Sequence, residues 1–357
     1  MYIFGIVYII AFLPQGAPYV VVSKTALPNA KCWNFTESAL HFCVSETIPK
    51  NFEGIVNYEE DGPIHKTGCQ FSPEWHLSRI SQRKADYKKP YAYDDLPFSG
   101  IPPSVYVVDT YVQINHPHFQ GRASLGFANV HGYLESHGTH VAGLVGSKFY
   151  GVCKYAKIIS VRVLDDSGSG YFSGLIEGLS WISHNAAPKS IINISISGAR
   201  SMAMDQAVEA LSKQGILVVT AAGNDGKDAQ YYSPGGSPNA LTVGAISQDG
   251  LLSSFSNYGT SVDVIAPGEY IRSIIPIDSV GWMSGTSMAS PIVAGAAAVI
   301  LSSYRSNISS VMLKELVISA ATVNQTHSIR FNTPDRIPYI HSISDDCGPR
   351  TGGILFQ

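Results

Sequence analysis

Charged residues are scarce in this chain, and features that identify several other classes of protein are missing. Asp, Glu, Lys and Arg make up 14% of the 357 residues, against roughly 25% in typical globular proteins. The net charge is -3 and Lys and Arg form no cluster, which argues against nucleic acid or an anionic membrane as the main partner. No two cysteines have the C-x-x-C spacing of zinc and redox sites. A peptide or a small neutral ligand fits this composition better.

The N-terminal run is apolar but too short for a membrane span. Residues 1–14 are almost all apolar, whereas a bilayer needs roughly 20 such residues. With Gly16 or Ala17 near a cleavage point, residues 1–17 are predicted to be a secretory signal peptide, although no Lys or Arg precedes the apolar run. A buried strand or helix is the alternative. We therefore expect a secreted protein, extracellular or at the cell surface, with no membrane span after signal removal.

The cysteines and the glycan acceptor triplets fit secretion. Five cysteines are present: Cys32, Cys43, Cys69, Cys153 and Cys347. An oxidising compartment would allow disulfides among them, but the number is odd and the pairing does not follow from the sequence. Asn34, Asn307 and Asn324 each begin an Asn-x-Ser/Thr triplet. Asn193 also begins one, but it lies in a predicted buried strand.

From residue 105 onward, short apolar runs alternate with helical patterns. The predicted strands, rich in β-branched residues, are 105–108, 158–163, 191–196, 216–219 and 241–246. Helical periodicity covers 172–182 and 204–211. The pattern predicts a doubly wound α/β fold, with helices on both faces of a mostly parallel sheet. Ligands bind such sheets at the carboxyl ends of the strands.

Four polar residues fall at predicted strand ends and helix starts. Asp109 and Asn224 follow strands, and His137 opens a small-residue helix. Ser287 stands before Pro291 at the start of another helix, where unpaired N–H groups can bind an anion. Each has a structural alternative as a strand-end cap, a turn residue, a core histidine or a helix cap. Together, a carboxylate, an imidazole, an amide and a hydroxyl are what acyl transfer by a serine nucleophile requires.

The segments around these residues resemble the Asp, His, Asn and Ser motifs of the subtilisin-like serine proteases, and of the proteinase K-like branch in particular. The segments are Val107-Val108-Asp109-Thr110, His137-Gly138-Thr139-His140-Val141-Ala142-Gly143, Ala221-Ala222-Gly223-Asn224 and Gly285-Thr286-Ser287-Met288-Ala289-Ser290-Pro291. The similarity runs from about residue 70 to about residue 340. The order Asp, His, Ser is that of this family, whereas an α/β-hydrolase esterase has the order Ser, Asp, His and a G-x-S-x-G motif.

The resemblance implies a secreted serine endopeptidase that needs no cofactor for its chemistry. Ser287 would attack the scissile carbonyl, His137 would act as base and then acid, and Asp109 would orient the imidazole. Asn224 and the Ser287 N–H would stabilise the oxyanion. His140 would be a packing residue; a metal site formed by His137 and His140 is disfavoured, because the spacing lacks the H-E-x-x-H pattern.

The resemblance also implies where a peptide substrate binds. The stretch Ser167-Gly168-Ser169-Gly170 would pair with the substrate backbone as an added strand. The pocket for the residue before the scissile bond would lie between Ser195-Ile196-Ser197-Gly198 and Ala221-Ala222-Gly223. Since neither wall contains Asp or Glu, we expect an apolar or broad preference at that position.

The resemblance divides the chain and suggests a calcium site. Residues 18–67 would be a shortened, small α+β propeptide that inhibits residues 68–357, the peptidase domain, until it is cut off near residues 67–72. Pro238, Ala240 and Asp263 fall where proteinase K-like enzymes bind calcium. One carboxylate with two carbonyls is a small donor set for that ion, and an ordinary surface Asp is the alternative.

Two departures from the family pattern favour a second hypothesis. Tyr111 stands where the family's Asp motif has a glycine, so a bulky residue must fit that turn. Ser197 replaces a glycine in the pocket wall and could narrow the pocket. The alternative function is therefore a catalytically weak or inactive subtilase-fold protein that binds peptides or serves as a surface component.

Overall fold

The computed structural model describes residues 19–34, 39–45, 47–48, 52–60, 67–97, 99–132, 135–327, 329–330 and 332–340. They belong to two compact units, residues 1–64 and 65–357. The predicted signal peptide and Cys347 lie outside the described residues. Within the ranges given, no helix has both the length and the apolar character needed to cross a membrane.

The strands and helices have the following bounds. The strands are β1 (Tyr19–Ser23), β2 (Lys31–Asn34), β3 (His41–Ser45), β4 (Ile55–Glu60), β5 (Thr67–Gln70), β6 (Tyr91–Asp94), β7 (Ser104–Asp109), β8 (Ala123–Ala128), β9 (Lys157–Arg162), β10 (Ser190–Ile194), β11 (Gly198–Ala199), β12 (Leu217–Ala221), β13 (Tyr232–Ser233), β14 (Ala240–Ile246), β15 (Val264–Pro267), β16 (Ile271–Ile275), β17 (Ser279–Met283), β18 (Thr322–Val323) and β19 (Arg336–Ile337). The helices are α1 (Trp75–Ile80), α2 (His137–Gly146), α3 (Phe172–Asn185), α4 (Met202–Lys213), α5 (Thr286–Ser302) and α6 (Ser310–Ala320).

The smaller unit contains a four-stranded antiparallel sheet in the order β2-β3-β1-β4. Val21, Leu27 and Cys43 are buried against it, and a disulfide joins Cys32 to Cys43 on neighbouring strands. Its described residues form strands and turns without a helix, where we expected an α+β unit. The physical reason is that these segments are short runs with β-branched and aromatic residues, such as Tyr19-Val20-Val21-Val22, which favour strands over helices.

The larger unit is built on a seven-stranded parallel sheet in the order β15-β14-β12-β10-β7-β9-β8. Strands β7, β10, β12, β14 and β15 are buried along their whole length, which is why their sequences are continuous apolar runs. The predicted parallel α/β sheet is therefore confirmed.

Helices cover both faces of this sheet. One face packs against a core that includes Leu144 of α2 and Ile292 of α5, and the other against Leu179 of α3 and Val208 of α4. Helix α5 is buried along most of its length. The chain begins the sheet at β7 in its middle, adds β8 and β9 on one side, and returns to place β10 on the other. The space between β7 and β10 is the switch point at which doubly wound sheets bind ligands.

Candidate active site

Asp109 and His137 form a hydrogen-bonded pair at this switch point. Asp109 is the last residue of β7 and is fully buried, and His137 is the first residue of α2. The His137 Nδ1 lies 2.8 Å from Asp109 Oδ1, and the Thr110 N–H donates to the same oxygen at 2.7 Å. Because the carboxylate accepts, Nδ1 carries the hydrogen, and Nε2 of the neutral ring is free to accept a proton.

Glu135 is a second carboxylate beside this histidine, and sequence reasoning missed it. Its Oε2 accepts from the His137 N–H at 2.5 Å and from the Thr110 hydroxyl at 2.6 Å. Burial lowers the pKa of His137, but the charge and hydrogen bond of Asp109 and the charge of Glu135 outweigh it, so the pKa lies above its usual 6.5. The signal that could have found Glu135 is an acidic residue two positions before the histidine.

Ser287 is the second residue of α5, and Ser195 supports it from the loop after β10. The Ser287 hydroxyl donates to the Ser195 carbonyl at 3.1 Å. Ser287 lies at the start of this helix, as the sequence predicted, and Pro291 lies inside it. Since proline has no N–H, the Ser287 carbonyl four residues earlier loses its helical donor. The Ser195 hydroxyl replaces that donor at 2.9 Å.

The orientation of the Asn224 side chain is fixed by Thr286. Asn224 Oδ1 accepts from both the N–H and the hydroxyl of Thr286, each at 2.8 Å. A main-chain N–H can only donate, so the oxygen of the amide must face Thr286 and the NH₂ group must point elsewhere. A side chain at Gly285 would lie 3.3 Å from Asn224 Nδ2 and 3.6 Å from the Ser287 N. Two N–H donors, the Asn224 amide and the Ser287 main-chain N–H, therefore lie close to the same point beside Gly285.

The sheet register brings the two halves of the site together. Val108 of β7 pairs with Ile194 of β10, so Asp109 and Ser195 follow side by side on strands about 4.8 Å apart. Asp109 binds His137, and the Ser195 carbonyl binds Ser287. The four residues selected from the sequence therefore gather at one edge of the sheet, with Asn224 beside Ser287.

Comparisons with known proteins agree with this architecture. The profile of the subtilase family of peptidases matches residues 100–334. The chain belongs to the subtilase family. It is 39% identical over 298 residues to a cuticle-degrading serine protease of Arthrobotrys oligospora, covering 80% of this chain and 72% of that protein. It is 37% identical over 298 residues to a cuticle-degrading protease of Metarhizium anisopliae, covering 80% of this chain and 75% of that protein.

A solved structure gives the same result. The crystal structure of a cold adapted subtilisin-like serine proteinase matches with a TM-score of 0.71 and 38% identity, over 77% of this chain and 100% of that one. The predicted family, the subtilisin-like fold and the activity of a serine endopeptidase are thereby confirmed for this subtilase. The alternative of an inactive binding protein is not favoured.

The second histidine of the motif has a different environment from His137. His140 is fully buried, and its Nε2 lies 3.0 Å from the carbonyl of Ile271. Burial lowers the pKa of His140 to about 3, despite the hydrogen bond to that carbonyl. A ring that stays neutral and faces a main-chain carbonyl suits the packing role expected for it.

Tyr111 fits its turn without strain. Its backbone is not in the left-handed region, so the glycine expected there is not required by the chain path. The glycine that this subtilase needs is Gly138, because a Cβ there would lie 2.7 Å from the carbonyl oxygen of Tyr111 and 2.9 Å from that of Thr110. The Gly138 N–H also donates to the Thr110 hydroxyl at 2.9 Å.

The stretch expected to pair with substrate is partly folded back on itself. Asp165 Oδ1 accepts from the N–H groups of Ser167 and Ser169 at 2.9 and 3.1 Å. Gly168 has a φ of +73° in the resulting turn. Residues 167–169 thus form a turn rather than an extended edge, and Gly170 follows it as an exposed residue.

The expected pocket walls approach each other at Ser197 and Gly223. A Cβ on Gly223 would lie 3.0 Å from the Ser197 hydroxyl and 2.3 Å from Asn257 Nδ2, and Gly223 has a φ of +106°. Asn257 was missed from the sequence; its Nδ2 and N–H bind the carbonyls of Ala222 and Gly223, each at 2.9 Å. Ser195 at the start of the other wall is buried, whereas Ser197 is exposed. The Ser197 side chain therefore narrows the space between the two pocket walls on the side that faces solvent.

The three donors expected to hold calcium contact a lysine instead. Lys314 Nζ lies 3.2 Å from the Pro238 carbonyl oxygen, 2.5 Å from that of Ala240 and 2.9 Å from Asp263 Oδ2. Elsewhere in the described part of the chain, no group of three or more His, Cys, Asp or Glu side chains could hold a metal ion.

The remaining cysteines differ in state. Cys69 is disulfide-bonded, and Cys153 is a buried free thiol. Burial raises the pKa of Cys153 to about 12, so this thiol is unreactive at neutral pH.

Proposed function

We propose that this subtilase cleaves peptide bonds with Ser287 as nucleophile, His137 as general base and acid, and Asp109 as the residue that orients the imidazole. The observation that supports these roles best is the 2.8 Å bond between His137 Nδ1 and buried Asp109. It fixes the tautomer in which Nε2 can take a proton from a hydroxyl.

The first chemical step starts with a change of hydrogen-bond partner. The Ser287 hydroxyl leaves the Ser195 carbonyl and donates to His137 Nε2. The oxygen attacks the scissile carbonyl carbon while Nε2 takes the proton, which gives a tetrahedral oxyanion and an imidazolium. Asp109 is hydrogen-bonded to that imidazolium, and the negative charge of nearby Glu135 also stabilises it. Asn224 Nδ2 and the Ser287 N–H donate to the oxyanion.

The intermediate then collapses and the enzyme is regenerated. The C–N bond breaks as the imidazolium gives its proton to the leaving amine, and an acyl-enzyme remains on Ser287. Water, deprotonated by His137, attacks the acyl carbon, and the proton returns to the serine oxygen as the acid product leaves. Every proton in this cycle is carried by a protein side chain or by water, so the chemistry requires no cofactor.

Substrate is proposed to bind as an extended peptide beside Gly170. The turn at residues 167–169 uses its own N–H groups on Asp165, which leaves the exposed chain from Gly170 to pair with a peptide backbone. The pocket between residues 195–198 and 221–223 has no carboxylate on either wall. An apolar or broad preference for the residue before the scissile bond follows, and a cleavage profile dominated by Lys or Arg would contradict it.

We further propose that residues 18–67 are an inhibitory propeptide of a secreted enzyme. The two compact units divide between Ile64 and His65. Strand β5 (Thr67–Gln70) pairs with β6 inside the larger unit, so a cut after residue 67, at the start of the expected range 67–72, would leave the rest of that strand with the peptidase. Exposed acceptors at Asn34, Asn307 and Asn324 suit glycosylation during secretion. N-terminal sequencing of the mature protein tests this; a start at residue 17 or 18 would contradict it.

The catalytic roles are tested with a fluorophosphonate probe and peptide hydrolysis. Ser287→Ala should abolish labelling and lower kcat by about 10⁶-fold, as the same change does in subtilisin. The matched control is Ser303→Ala, the same change at an exposed residue just after α5, and it should leave both unchanged. Asn224→Ala should lower kcat by about 10²–10³-fold, the loss that subtilisin suffers without such a donor. Unlabelled wild-type protein would favour the binding-protein alternative.

A further inference from the structure

Lys314 lies at the position that a calcium ion would take. Its ammonium contacts all three groups that the resemblance assigned to calcium: the carbonyls of Pro238 and Ala240, and Asp263. The nitrogen is 2.5–3.2 Å from the three oxygens. A calcium ion bound to the same oxygens would sit 2.3–2.6 Å from them, so the two cations would overlap.

The lysine is held as part of the structure rather than as a loose surface charge. Its side chain is 17% exposed and that of Asp263 is 19% exposed. Asp263 Oδ2 also accepts from the Thr242 N–H at 2.8 Å. Lys314 is on α6, and its three acceptors lie just before β14, at the first residue of β14 and just before β15. The ammonium therefore links the helix to the amino ends of two neighbouring strands. A largely buried carboxylate is stabilised by such a counter-charge.

We propose that Lys314 is a built-in cation that replaces calcium at this site, so that the site is stable without metal and closed to it. Removing the ammonium without filling its space would leave two carbonyls and a carboxylate around a water-sized gap. Those oxygens, completed by water, are the hard ligands that calcium prefers. Replacing Lys314 with alanine should therefore make the thermal stability of the protein depend on calcium.

The experiment measures thermal unfolding in 10 mM calcium, 10 mM magnesium or excess EDTA. All proteins carry Ser287→Ala to prevent self-digestion. Lys314→Ala opens the site, and Lys314→Met removes the charge but keeps the apolar stem in place. Lys213→Ala is the matched control, because Lys213 pairs with Glu209 at 2.6 Å on the surface with 74% of its side chain exposed.

Lys314→Ala should unfold at lower temperature than its parent in EDTA and recover in calcium more than in magnesium, which resists dehydration. With the millimolar to tenth-millimolar affinity typical of extracellular sites, 10 mM calcium should raise its folding equilibrium constant about 10- to 100-fold. Lys314→Met should be destabilised without recovery, and Lys213→Ala should behave like the parent.

A calcium gain in Lys314→Ala no larger than that of the parent would overturn the proposal. If Lys314→Ala folds only when calcium is present, the proposal is supported. If it folds under neither condition, Asp263→Asn decides in the Lys314 background: a calcium gain in the parent that this change removes would show that the ion displaces the lysine, and would overturn it. No such gain would support it.

Discussion

The Ser195 hydroxyl has every hydrogen-bonding position occupied, and this gives a quantitative prediction. Its one hydrogen goes to the Ser287 carbonyl at 2.9 Å. It accepts from Asn193 Nδ2 at 3.0 Å. The contact with the Ser290 hydroxyl, also 3.0 Å, must therefore use the hydrogen of Ser290, since that of Ser195 is already committed. The carbonyl of Ser287 depends on this hydroxyl because Pro291 cannot donate to it.

Ser195→Ala should destabilise the protein by about 2–6 kcal/mol. The change leaves the Ser287 carbonyl and the fully buried Asn193 amide without partners, at about 1–3 kcal/mol for each stranded group. The loss of the partner of the Ser290 hydroxyl costs less, because this hydroxyl can rotate to donate to a carbonyl of its own helix. In a Pro291→Ala background, the new N–H at 291 can bond to the Ser287 carbonyl. The cost of Ser195→Ala should then fall by about 1–3 kcal/mol, the cost of one stranded carbonyl.

The assay is a double-mutant cycle in urea, with Ser287→Ala in all four proteins to stop self-digestion. Ser237→Ala is the matched control, because its hydroxyl is buried but has no partner among the described residues; it should cost well under about 1 kcal/mol. The reasoning is refuted if Ser195→Ala costs the same, within about 0.5 kcal/mol, with proline or alanine at 291.

Three other predictions concern the histidines and the start of α2. Glu135→Gln keeps one oxygen that can accept from both the His137 N–H and the Thr110 hydroxyl, but it removes the charge that helps to raise the pKa of His137. The acid limb of the kcat/KM pH profile should therefore move to lower pH; an unmoved limb would exclude this role. Burial lowers the pKa of His76 to about 4 and of His140 to about 3. Because the unfolded chain takes up these protons near pH 6.5 and the folded protein does not, each histidine lowers the free energy of unfolding by about 1.4 kcal/mol per pH unit as pH falls below 6.5 towards the folded pKa. Urea titrations of His140→Gln should therefore show a shallower loss of stability at low pH. Gly138→Ala places a Cβ 2.7 Å from a main-chain oxygen and should lower kcat about 10-fold or more, since small displacements of catalytic groups are costly; an unchanged kcat would contradict it.

The parallel sheet could be predicted because its signal is local. Runs such as 105–108 and 241–246 are apolar at every position, and the structure buries β7 and β14 on both faces. The site residues were also accessible, since they stand at the ends of such runs. The fold places strand ends at one edge, so the order of polar residues along the chain predicts a cluster in space.

The supporting contacts could not be predicted, because they join residues with no sequence relation. Nothing in a local pattern connects Lys314 to Asp263, or the Ser195 hydroxyl to the carbonyl of Ser287. The accommodation of Pro291 could not be predicted for the same reason. Proline is normally unfavourable inside a helix, and here the Ser195 hydroxyl, from the loop after β10, supplies the donor that proline lacks.

Positions 111 and 138 differ in what they require of the backbone. A family pattern with glycine after Thr110 led us to expect strain at Tyr111, yet that residue adopts an ordinary backbone conformation. A glycine can be frequent at a position for reasons other than a positive φ. At Gly138 the reason is distance: the first turn of α2 lies against the carbonyls of Thr110 and Tyr111, and this contact sets the spacing between the ends of β7 and α2. Because Asp109 and His137 are fixed at those two ends, the absence of one Cβ at 138 is what allows their 2.8 Å hydrogen bond.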